Sequence, residues 1–462
     1  MNCRIITGLL AFVAFFVLGS SCTISGGNNS YTTPPIYAED SPQSALDKYI
    51  NNDDPSFSWD VASNSTNAEG VGYVVDMTSQ TWHNIEWKHK MYIFEPAKLI
   101  NPEYCALYIA GGSNGNGPIA ADMQSARLIA SLTGMYVAVL WQVPNQPLLG
   151  SYSEDALIGE TFLKAIETGD MSWPLLLPMA KSAVRAMDTV QELIRKNRGH
   201  NIKGFVVFGM SKRGWTTWMA AATKDNRIVA IAPMVINLLN MQAQFEYMYA
   251  NWGYYSSGIG EYSHRNFLPN QIDPNASEEE MKLREYLWHL IDPYFYLDRI
   301  TMPKFLIHGT NDVYWNLDAT KFYWNDLVGE KYILTLPNAG HSLGSEREKA
   351  FTSIAAYAKF VVEGGTLQSM KWKYENNVTE YTLSVTSGLS VIRAKLWVAY
   401  NGKRDFLYAK WNSTDLQVLP EKEGNFSVTV KKPESGYVAF YIEIETEYEC
   451  IPYSLTTEVF NP

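Results

Sequence analysis

Short apolar runs separated by helical patterns dominate the middle of the chain. Six runs of four to seven residues lack the alternation of polar and apolar residues that marks a strand with one solvent-exposed face: 104–110, 136–140, 205–208, 228–232, 304–308 and 332–336. Such runs are typical of parallel strands that are buried on both faces. Helical periodicity covers the intervening residues 121–132, 154–167, 179–196 and 212–223. The alternation predicts an α/β fold with a doubly wound, mostly parallel sheet.

Three stretches depart from this alternation. A short helix at 45–51 and strand patterns at 71–78 and 87–94 precede it. An aromatic-rich insertion with a charged helix near 278–290 occupies about residues 237–300, and we expect it to form a cap over the strand ends. After about residue 365, five alternating segments predict a small β-sandwich: 380–385, 390–400, 405–411, 427–431 and 436–444. The predicted domains are an α/β domain over residues 45–366 and a β domain over 367–462.

A serine stands at a strand-to-helix turn in the predicted sheet. Residues 209–214 read Gly-Met-Ser-Lys-Arg-Gly, after an apolar strand and at the start of a helix. A nucleophile elbow requires this context, because a sharp turn must present the serine hydroxyl above the sheet. Arg213 occupies the usual second glycine position, and the glycine comes one residue later. Taken alone, the pattern is equally compatible with an ordinary turn serine.

An acid and a base follow Ser211 in the chain order expected for this fold. Asp312 lies in the polar turn after the strand at 304–308, and His341 lies in the loop after the strand at 332–336. A serine hydroxyl needs a histidine to take its proton, and the histidine needs a carboxylate to fix its tautomer. We therefore predict Ser211 as nucleophile, His341 as general base and then acid, and Asp312 as the orienting carboxylate. Asp318, inside a helix predicted at 316–327, and His308, at a strand end, are weaker alternatives.

Backbone N–H groups for an oxyanion hole are predicted at two places. Lys212, directly after the nucleophile, supplies one donor, and the glycine-rich loop 111–117 supplies a second from Gly112 or Ser113. The alternative, a phosphate-binding loop, lacks the Lys-Ser/Thr ending of a P-loop and the spacing of a dinucleotide fingerprint. The sequence contains no paired-histidine or C-x-x-C spacing, so it predicts neither a metal site nor a cofactor.

The net charge of the chain indicates which partners it can bind, and its N-terminal residues indicate the compartment in which it acts. With 37 basic and 48 acidic side chains, the net charge of −11 argues against a nucleic-acid partner. Residues 1–21 are predicted to be a signal peptide, since the apolar run 9–18 is too short to span a membrane, and 22–44 a linker. Lipidation of Cys22 is a weaker interpretation, because Gly19 and not leucine stands three residues before it.

Six Asn-X-Ser/Thr sequons support export through a glycosylating pathway: Asn28, Asn64, Asn275, Asn377, Asn412 and Asn425. We therefore expect a secreted, extracellular glycoprotein with no membrane span. Few cysteines remain after the signal peptide, so the core and not a disulfide framework holds the fold. Whether Cys105 pairs with Cys450 is left open, with burial of Cys105 in its strand favoured.

Several blocks of sequence are long enough to be specific for one family. They include Gly-Gly-Ser-Asn-Gly at 111–115, Val-Pro-Asn-Gln-Pro at 143–147, Ser-Lys-Arg-Gly at 211–214 and Pro-Asn-Ala-Gly-His-Ser-Leu at 337–343. The chain resembles the PhoPQ-activated pathogenicity-related family from about residue 45 to its end. The resemblance implies an α/β-hydrolase fold with a core similar to that of prolyl-oligopeptidase-type peptidases. It also implies kinship with bacterial proteins and with a secreted proliferation repressor of slime moulds.

Two functions of different classes follow. The first is a secreted serine hydrolase acting on a small-molecule ester or a peptide. The second is a secreted signalling protein that keeps the hydrolase scaffold without catalysis and acts on a cell-surface receptor. An intact triad favours the first, because a pure ligand has no need of one, although fold alone does not fix function.

Overall fold

The structure, a computed structural model, describes residues 31, 33–365, 370–418 and 424–462. The predicted signal peptide, Cys22, Asn28 and the predicted domain boundary at 366/367 lie outside the described residues. In the described part of the chain, none of the helices combines the length and the apolar character that crossing a membrane requires.

One nine-stranded sheet forms the centre of the molecule, in the order β1-β2-β3-β5-β4-β6-β7-β8-β9. Its strands are β1 (Ser58–Asn67), β2 (Gly70–Trp82), β3 (Ile85–Pro96), β4 (Asn101–Ile109), β5 (Met135–Leu140), β6 (Gly204–Met210), β7 (Ile228–Met234), β8 (Lys304–Gly309) and β9 (Lys331–Leu336). The pairs up to β3–β5 are antiparallel, and all pairs from β5–β4 onward are parallel. This confirms the predicted mostly parallel sheet.

Helices cover both faces of this sheet. They are α1 (Pro42–Asn51), α2 (Ala120–Thr133), α3 (Glu154–Thr168), α4 (Leu176–Arg198), α5 (Lys212–Ala222) and α9 (Arg347–Val362), with α6 to α8 in the insertion described next. The apolar sides of α3, α4 and α5 belong to one core cluster, and those of α2 and α9 belong to the cluster on the other face. Gly134, Gly169 and Gly199 end α2, α3 and α4 in the left-handed conformation that glycine adopts most easily. The fold class is the predicted α/β-hydrolase type.

The insertion between β7 and β8 lies where the sequence places the cap. It contains α6 (Met241–Trp252), α7 (Gly260–Ser263) and α8 (Glu278–Ile291). Asp292, at the end of α8, accepts a hydrogen bond from the N–H of Met241 at 2.7 Å, which ties the two ends of the cap together. Trp215 of α5 donates its indole N–H to the carbonyl of Ile291 at 2.7 Å, so the cap is fixed above α5.

The C-terminal residues form two antiparallel sheets, β10-β11-β14 and β13-β12-β15-β16. The strands are β10 (Met370–Asn376), β11 (Glu380–Ser387), β12 (Arg393–Asn401), β13 (Asn412–Leu416), β14 (Asn425–Lys431), β15 (Tyr437–Tyr448) and β16 (Ile451–Thr456). The sheets pack face to face, with Phe440 of one against Tyr374 and Tyr381 of the other. Side chains of both sheets share one core cluster with α2 and α9, so this sandwich packs directly on the α/β part.

Two local predictions are wrong for tertiary reasons. Residues 316–327 form two short 3₁₀ helices, Ala319–Phe322 and Trp324–Asp326, and not one α-helix. Tyr323 interrupts them with φ −151°, because its hydroxyl donates to the buried Asn237 side chain at 2.5 Å. Residues 405–411 form a loop and not a strand, in which Phe406 has a φ of +52°.

The N-terminal side also differs from expectation. Helix α1 begins at Pro42, inside the predicted linker, because Ser41 caps it by accepting from the N–H of Ser44. Within the described part of that linker, Thr33 and Ile36 are buried against the rest of the molecule, and Ile36 is only 6% exposed. The sequence does not predict strand β1, because eight of its ten residues are exposed, most of them are polar, and only pairing with β2 makes the segment a strand.

Candidate active site

Ser211 lies between the end of β6 and the first turn of α5, with φ 58° and ψ −129°. Residues with side chains rarely adopt this conformation, so the surrounding structure must impose it. A Cβ on Gly209 would lie 2.6 Å from the carbonyl oxygen of Arg213, and one on Gly214 would lie 2.6 Å from a methyl group of Ile236. Close packing around the turn, by backbone at Gly209 and by the Ile236 side chain at Gly214, therefore requires both glycines.

The structure brings the three predicted residues together. Ser211 Oγ lies 2.7 Å from His341 Nε2, and His341 Nδ1 lies 2.8 Å from Asp312 Oδ2. Strands β6, β8 and β9 run parallel, so the loops at their carboxyl ends meet at one edge of the sheet. The Asp312 side chain is 6% exposed and that of His341 is 24% exposed, so the carboxylate is shielded while the imidazole remains accessible.

The two weaker alternatives lie outside this chain of hydrogen bonds. Neither ring nitrogen of the buried His308 has a hydrogen-bond partner among the described residues, and burial lowers the pKa of His308 to about 3. Asp318 accepts hydrogen bonds from Tyr247 at 3.0 Å and from Lys321 at 2.7 Å. Neither contact involves Ser211 or His341.

Both predicted oxyanion segments adjoin the elbow. Lys212 is the first residue of α5, and the first N–H groups of a helix have no acceptor within the helix. In the loop after β4, Gly112 has a φ of +124°, and a Cβ on Gly111 would lie 2.6 Å from the Arg213 guanidinium. This loop therefore runs beside the residue two positions after Ser211. The choice between Gly112 and Ser113 as second donor stays a prediction.

A charged cluster that sequence reasoning missed holds the elbow. Glu154, at the start of α3, accepts two hydrogen bonds from the Arg213 guanidinium at 2.8 and 2.9 Å and pairs with Lys212 Nζ at 2.7 Å. Gln146 donates to the same carboxylate at 2.6 Å and accepts from the Glu154 N–H at 2.8 Å. Arg213 thus uses the usual glycine position to anchor the elbow to α3. The sequence signal for this cluster is limited to the family-like blocks 143–147 and 211–214, which contain Gln146 and Arg213.

Replacing Glu154 by glutamine is expected to destabilise the protein at neutral pH. Burial disfavours the charge, but Arg213 and Lys212 outweigh it and hold the pKa of Glu154 below its usual range. A lowered folded-state pKa stabilises the protein above the unfolded pKa of about 4.3, and this stabilisation is lost as the pH falls through the folded pKa. Since Glu154 is 42% exposed, we expect roughly 1–2 kcal/mol, less than for a fully buried pair.

Urea unfolding at pH 7 and at pH 4 measures this effect. The difference between wild type and Glu154→Gln should be largest at pH 7 and smaller at pH 4. Glu86→Gln, which removes an exposed pair with Lys88, is the control and should change little at either pH. Equal unfolding curves for wild type and Glu154→Gln at pH 7 would refute the anchoring role.

An apolar pocket lies under the cap beside Ser211. Its carboxylate, Asp155, accepts hydrogen bonds from the hydroxyls of Tyr262 at 3.0 Å and Tyr314 at 3.2 Å, and lies 3.5 Å from Lys212 Nζ. The Tyr314 ring also packs on the imidazole of His341, with ring centroids 4.1 Å apart. The pocket thus joins the nucleophile to the cap, and its carboxylate is already occupied by hydrogen bonds from the protein.

Other predicted sites fall on the surface or in the core. Five sequon asparagines are exposed, as glycosylation requires, although their modification stays a prediction: Asn64, Asn275, Asn377, Asn412 and Asn425. Cys105 is buried in β4 and Cys450 is exposed, and both are free thiols. Burial raises the pKa of the Cys105 thiol. Within the described ranges, no group of three or more His, Cys, Asp or Glu side chains is placed to hold a metal ion.

Known proteins similar to this chain include esterases and a signalling protein. Acetyl xylan esterase from Paenibacillus sp. R4 has 16% identity and a TM-score of 0.48, over 68% of this chain and 92% of that one. Acetyl xylan esterase 1 from Thermoanaerobacterium has 16% identity and a TM-score of 0.47, over 72% of this chain and 96% of that one. Autocrine proliferation repressor protein A from Dictyostelium discoideum is 30% identical over 437 residues, 87% of this chain and 86% of that protein.

The family assignment rests on a match to most of the chain. The model of the PhoPQ-activated pathogenicity-related proteins matches residues 46–407, a range that includes the elbow, the glycine-rich loop, the cap and the loops of Asp312 and His341. The identity to the Dictyostelium repressor agrees with this match. The chain belongs to the PhoPQ-activated pathogenicity-related protein family.

Proposed function

We propose that this protein is a secreted serine hydrolase that cleaves esters with Ser211, His341 and Asp312. The observation that carries the proposal is the continuous hydrogen-bond chain from Ser211 Oγ through the imidazole to the Asp312 carboxylate, with distances of 2.7 and 2.8 Å. These hydrogen bonds begin at the strained elbow on the carboxyl edge of the sheet, which a substrate can reach. Export is proposed from the predicted signal peptide and the sequons.

The proposed reaction uses two half-steps. Ser211 Oγ attacks the acyl carbonyl carbon while His341 Nε2 takes the hydroxyl proton, and Asp312 holds the imidazole through its Nδ1–H. The N–H of Lys212 and that of Gly112 or Ser113 receive the negative oxygen of the tetrahedral intermediate. Its collapse breaks the ester C–O bond, and the imidazolium gives its proton to the leaving alcohol. Water then attacks the acyl-enzyme by the same route, releasing the acid and restoring Ser211.

The pocket favours esters over peptides with a free terminus. A peptidase of the prolyl type needs a charged group that is free to hold a substrate terminus. Asp155 is the carboxylate in the pocket, and Tyr262, Tyr314 and Lys212 already surround it. An uncharged ester needs no such group.

A paired substrate screen tests this proposal. The purified protein is incubated with p-nitrophenyl esters and, separately, with dipeptide nitroanilides. Hydrolysis of the esters at a rate well above background, without release of nitroaniline, is expected. Release of nitroaniline alone would instead favour a peptidase, and no turnover of either class by folded protein would contradict the proposal.

The second candidate is a signalling protein that acts without catalysis. The observation that favours it is the 30% identity to a relative named as an autocrine proliferation repressor. Adding purified wild type or Ser211→Ala to separate cultures of the producing cells distinguishes the two candidate functions. Equal slowing of growth by both would assign a signalling role that is independent of Ser211. Slowing by wild type alone would make hydrolysis the cause of the growth effect.

A further inference from the structure

We propose that the pocket under the cap binds the acyl part of the ester and selects uncharged, apolar acyl groups. This inference rests on the proposed function and names the substrate class of the same site. Ser211 and Lys212 themselves line the pocket, so an acyl group on Ser211 Oγ with its oxygen towards the Lys212 N–H is at the pocket mouth.

The pocket wall has the chemistry of an apolar site. Eight of its fourteen lining residues are aromatic: Phe162, Trp215, Phe245, Tyr262, Phe267, Trp288, Tyr314 and Trp315. Aromatic walls bury large apolar area and stack on planar groups. Ile236, Met241 and Ile259 add aliphatic surface. An alkyl or aryl acyl group gains free energy here by leaving water.

The charges near the pocket are paired with one another. Lys212 contacts both Glu154 and Asp155, and Arg213 contacts Glu154. Two cations and two carboxylates therefore neutralise each other beside Ser211. Among the described residues that line the pocket, a carboxylate on the acyl group would meet no free cation, and burying it unpaired would be costly.

The far wall belongs to the cap, which sets the length of acyl group accepted. Phe245 lies on α6, Phe267 lies between α7 and α8, and Trp288 lies on α8. Phe267 stacks on Trp288 with ring centroids 4.3 Å apart and packs on Phe162 of α3 at 5.0 Å. These three packed rings form the part of the pocket wall where the cap meets α3.

An acyl series of p-nitrophenyl esters tests the assignment. From the acetate to the hexanoate ester, kcat/KM should rise about fourfold per methylene until the pocket is full. The kcat/KM of the monosuccinate ester should be at least about tenfold lower than that of the butyrate ester. Phe267→Leu and Trp288→Phe each shorten one wall side chain and should shift the optimum to longer chains. Phe351→Leu is the matched control, because Phe351 is equally buried but lies in the core on the other face of the sheet.

The outcomes separate this inference from the proposed function. Two results would overturn the pocket assignment alone, provided that wild type reacts with a fluorophosphonate. One is a kcat/KM that does not change with acyl chain length, and the other is a chain-length preference that neither wall variant changes. Preference for the monosuccinate would overturn it as well. Failure to react with the fluorophosphonate would instead contradict the hydrolase proposal.

A second observation, independent of the pocket, concerns the loop at residues 405–411 of the C-terminal part. The Asn311 side chain, next to Asp312, donates to the carbonyls of Leu407 at 3.1 Å and Ala409 at 2.8 Å. Asn338, in the loop of His341, donates to the carbonyl of Trp411 at 3.1 Å and accepts from its N–H at 2.8 Å. The same loop therefore holds both the acid loop and the base loop.

The loop is itself anchored firmly. Phe406 and Trp411 are buried in a small core with Tyr441 of β15, and Phe406 keeps a φ of +52° that only dense surroundings sustain. Asp405 accepts a hydrogen bond from Tyr254 of the cap at 2.7 Å. We infer that the C-terminal β-sandwich positions His341 and Asp312, with Asn311 and Asn338 as positioning residues. This inference also rests on the proposed function.

Asn311→Ala and Asn311→Asp test this role. The aspartate places a negative oxygen against the Leu407 and Ala409 carbonyls, so it should be worse than alanine. We expect kcat to fall about 10- to 100-fold, with KM within about twofold, because a small misplacement of a catalytic group slows the chemical step. Asn101→Ala is the control, since its amide also bonds a backbone carbonyl but at the opposite edge of the sheet.

Titration with a fluorophosphonate keeps the test independent of folding yield. Full final labelling with a slower rate is expected for both Asn311 variants. Activity that falls only in proportion to the fraction of labelled protein, or wild-type kcat in both variants, would overturn the positioning role.

Discussion

Ester hydrolysis by Ser211→Ala is expected to fall at least about 10⁴-fold below that of wild type. The hydroxyl that forms the acyl-enzyme is gone, and His341 Nε2, 2.7 Å from it in the wild type, has no proton to take. The remaining activity would come from the oxyanion donors and the pocket alone. Initial rates with p-nitrophenyl butyrate measure the effect, and KM should change little because the pocket is intact.

Ser79→Ala is a demanding control for this variant. Ser79 Oγ is also bonded to a histidine, His89 Nε2, at 2.9 Å, but this pair, on β2 and β3, is buried against Ser182 of α4. Burial lowers the pKa of His89 to about 4, and its Nδ1 lies 2.9 Å from the Trp141 carbonyl and not from a carboxylate. Ser79→Ala should keep its activity per folded molecule. Loss of activity in Ser79→Ala but not in Ser211→Ala would contradict the assignment.

Replacing Asp312 by asparagine is expected to lower kcat by about 10⁴-fold. The two side chains have the same size, and the amide oxygen can still accept from the N–H of Tyr314, as Asp312 Oδ1 does at 2.9 Å. The amide NH₂, however, donates to His341 Nδ1, which leaves the proton on Nε2. In that tautomer Nε2 cannot take the proton of Ser211.

Asp318→Asn is the matched control for Asp312→Asn. Its side chain is also 6% exposed, it lies in the same region of the chain, and it bonds Tyr247 and Lys321. This substitution should affect stability and leave kcat within about threefold of wild type. Steady-state kinetics and urea unfolding of both variants separate the two effects. Similar kcat losses in both would show that the Asp312 effect is not specific.

The parallel strands were predictable because their physical situation leaves a clear signature. Strands β4 to β9 are short and buried on both faces, so their sequences are continuous apolar runs. Strand β1 lies at the sheet edge with exposed side chains, so its sequence carries no such pattern. Tyr323 breaks a helical pattern because its contact with Asn237 forms only in the folded protein.

Chain order was enough to select three residues that the structure brings together. Ser211, Asp312 and His341 each follow a recognisable strand of one parallel sheet, so their loops meet at one edge. The residues that hold these three side chains in place carry no comparable signal in the sequence. Glu154 meets Arg213 only because α3 packs beside the elbow, and Asn311 meets residues 406–409 only because the β-sandwich docks on the same edge.

Reaction with a fluorophosphonate, followed by intact and peptide mass spectrometry, tests the central claim most directly. Folded wild type is expected to gain the mass of one phosphonyl group, located on Ser211. Asp312→Asn is expected to react more slowly, and Ser211→Ala is expected not to react. Folded wild type that gains no mass, or gains it at another residue, would contradict the claim that Ser211 is an activated nucleophile.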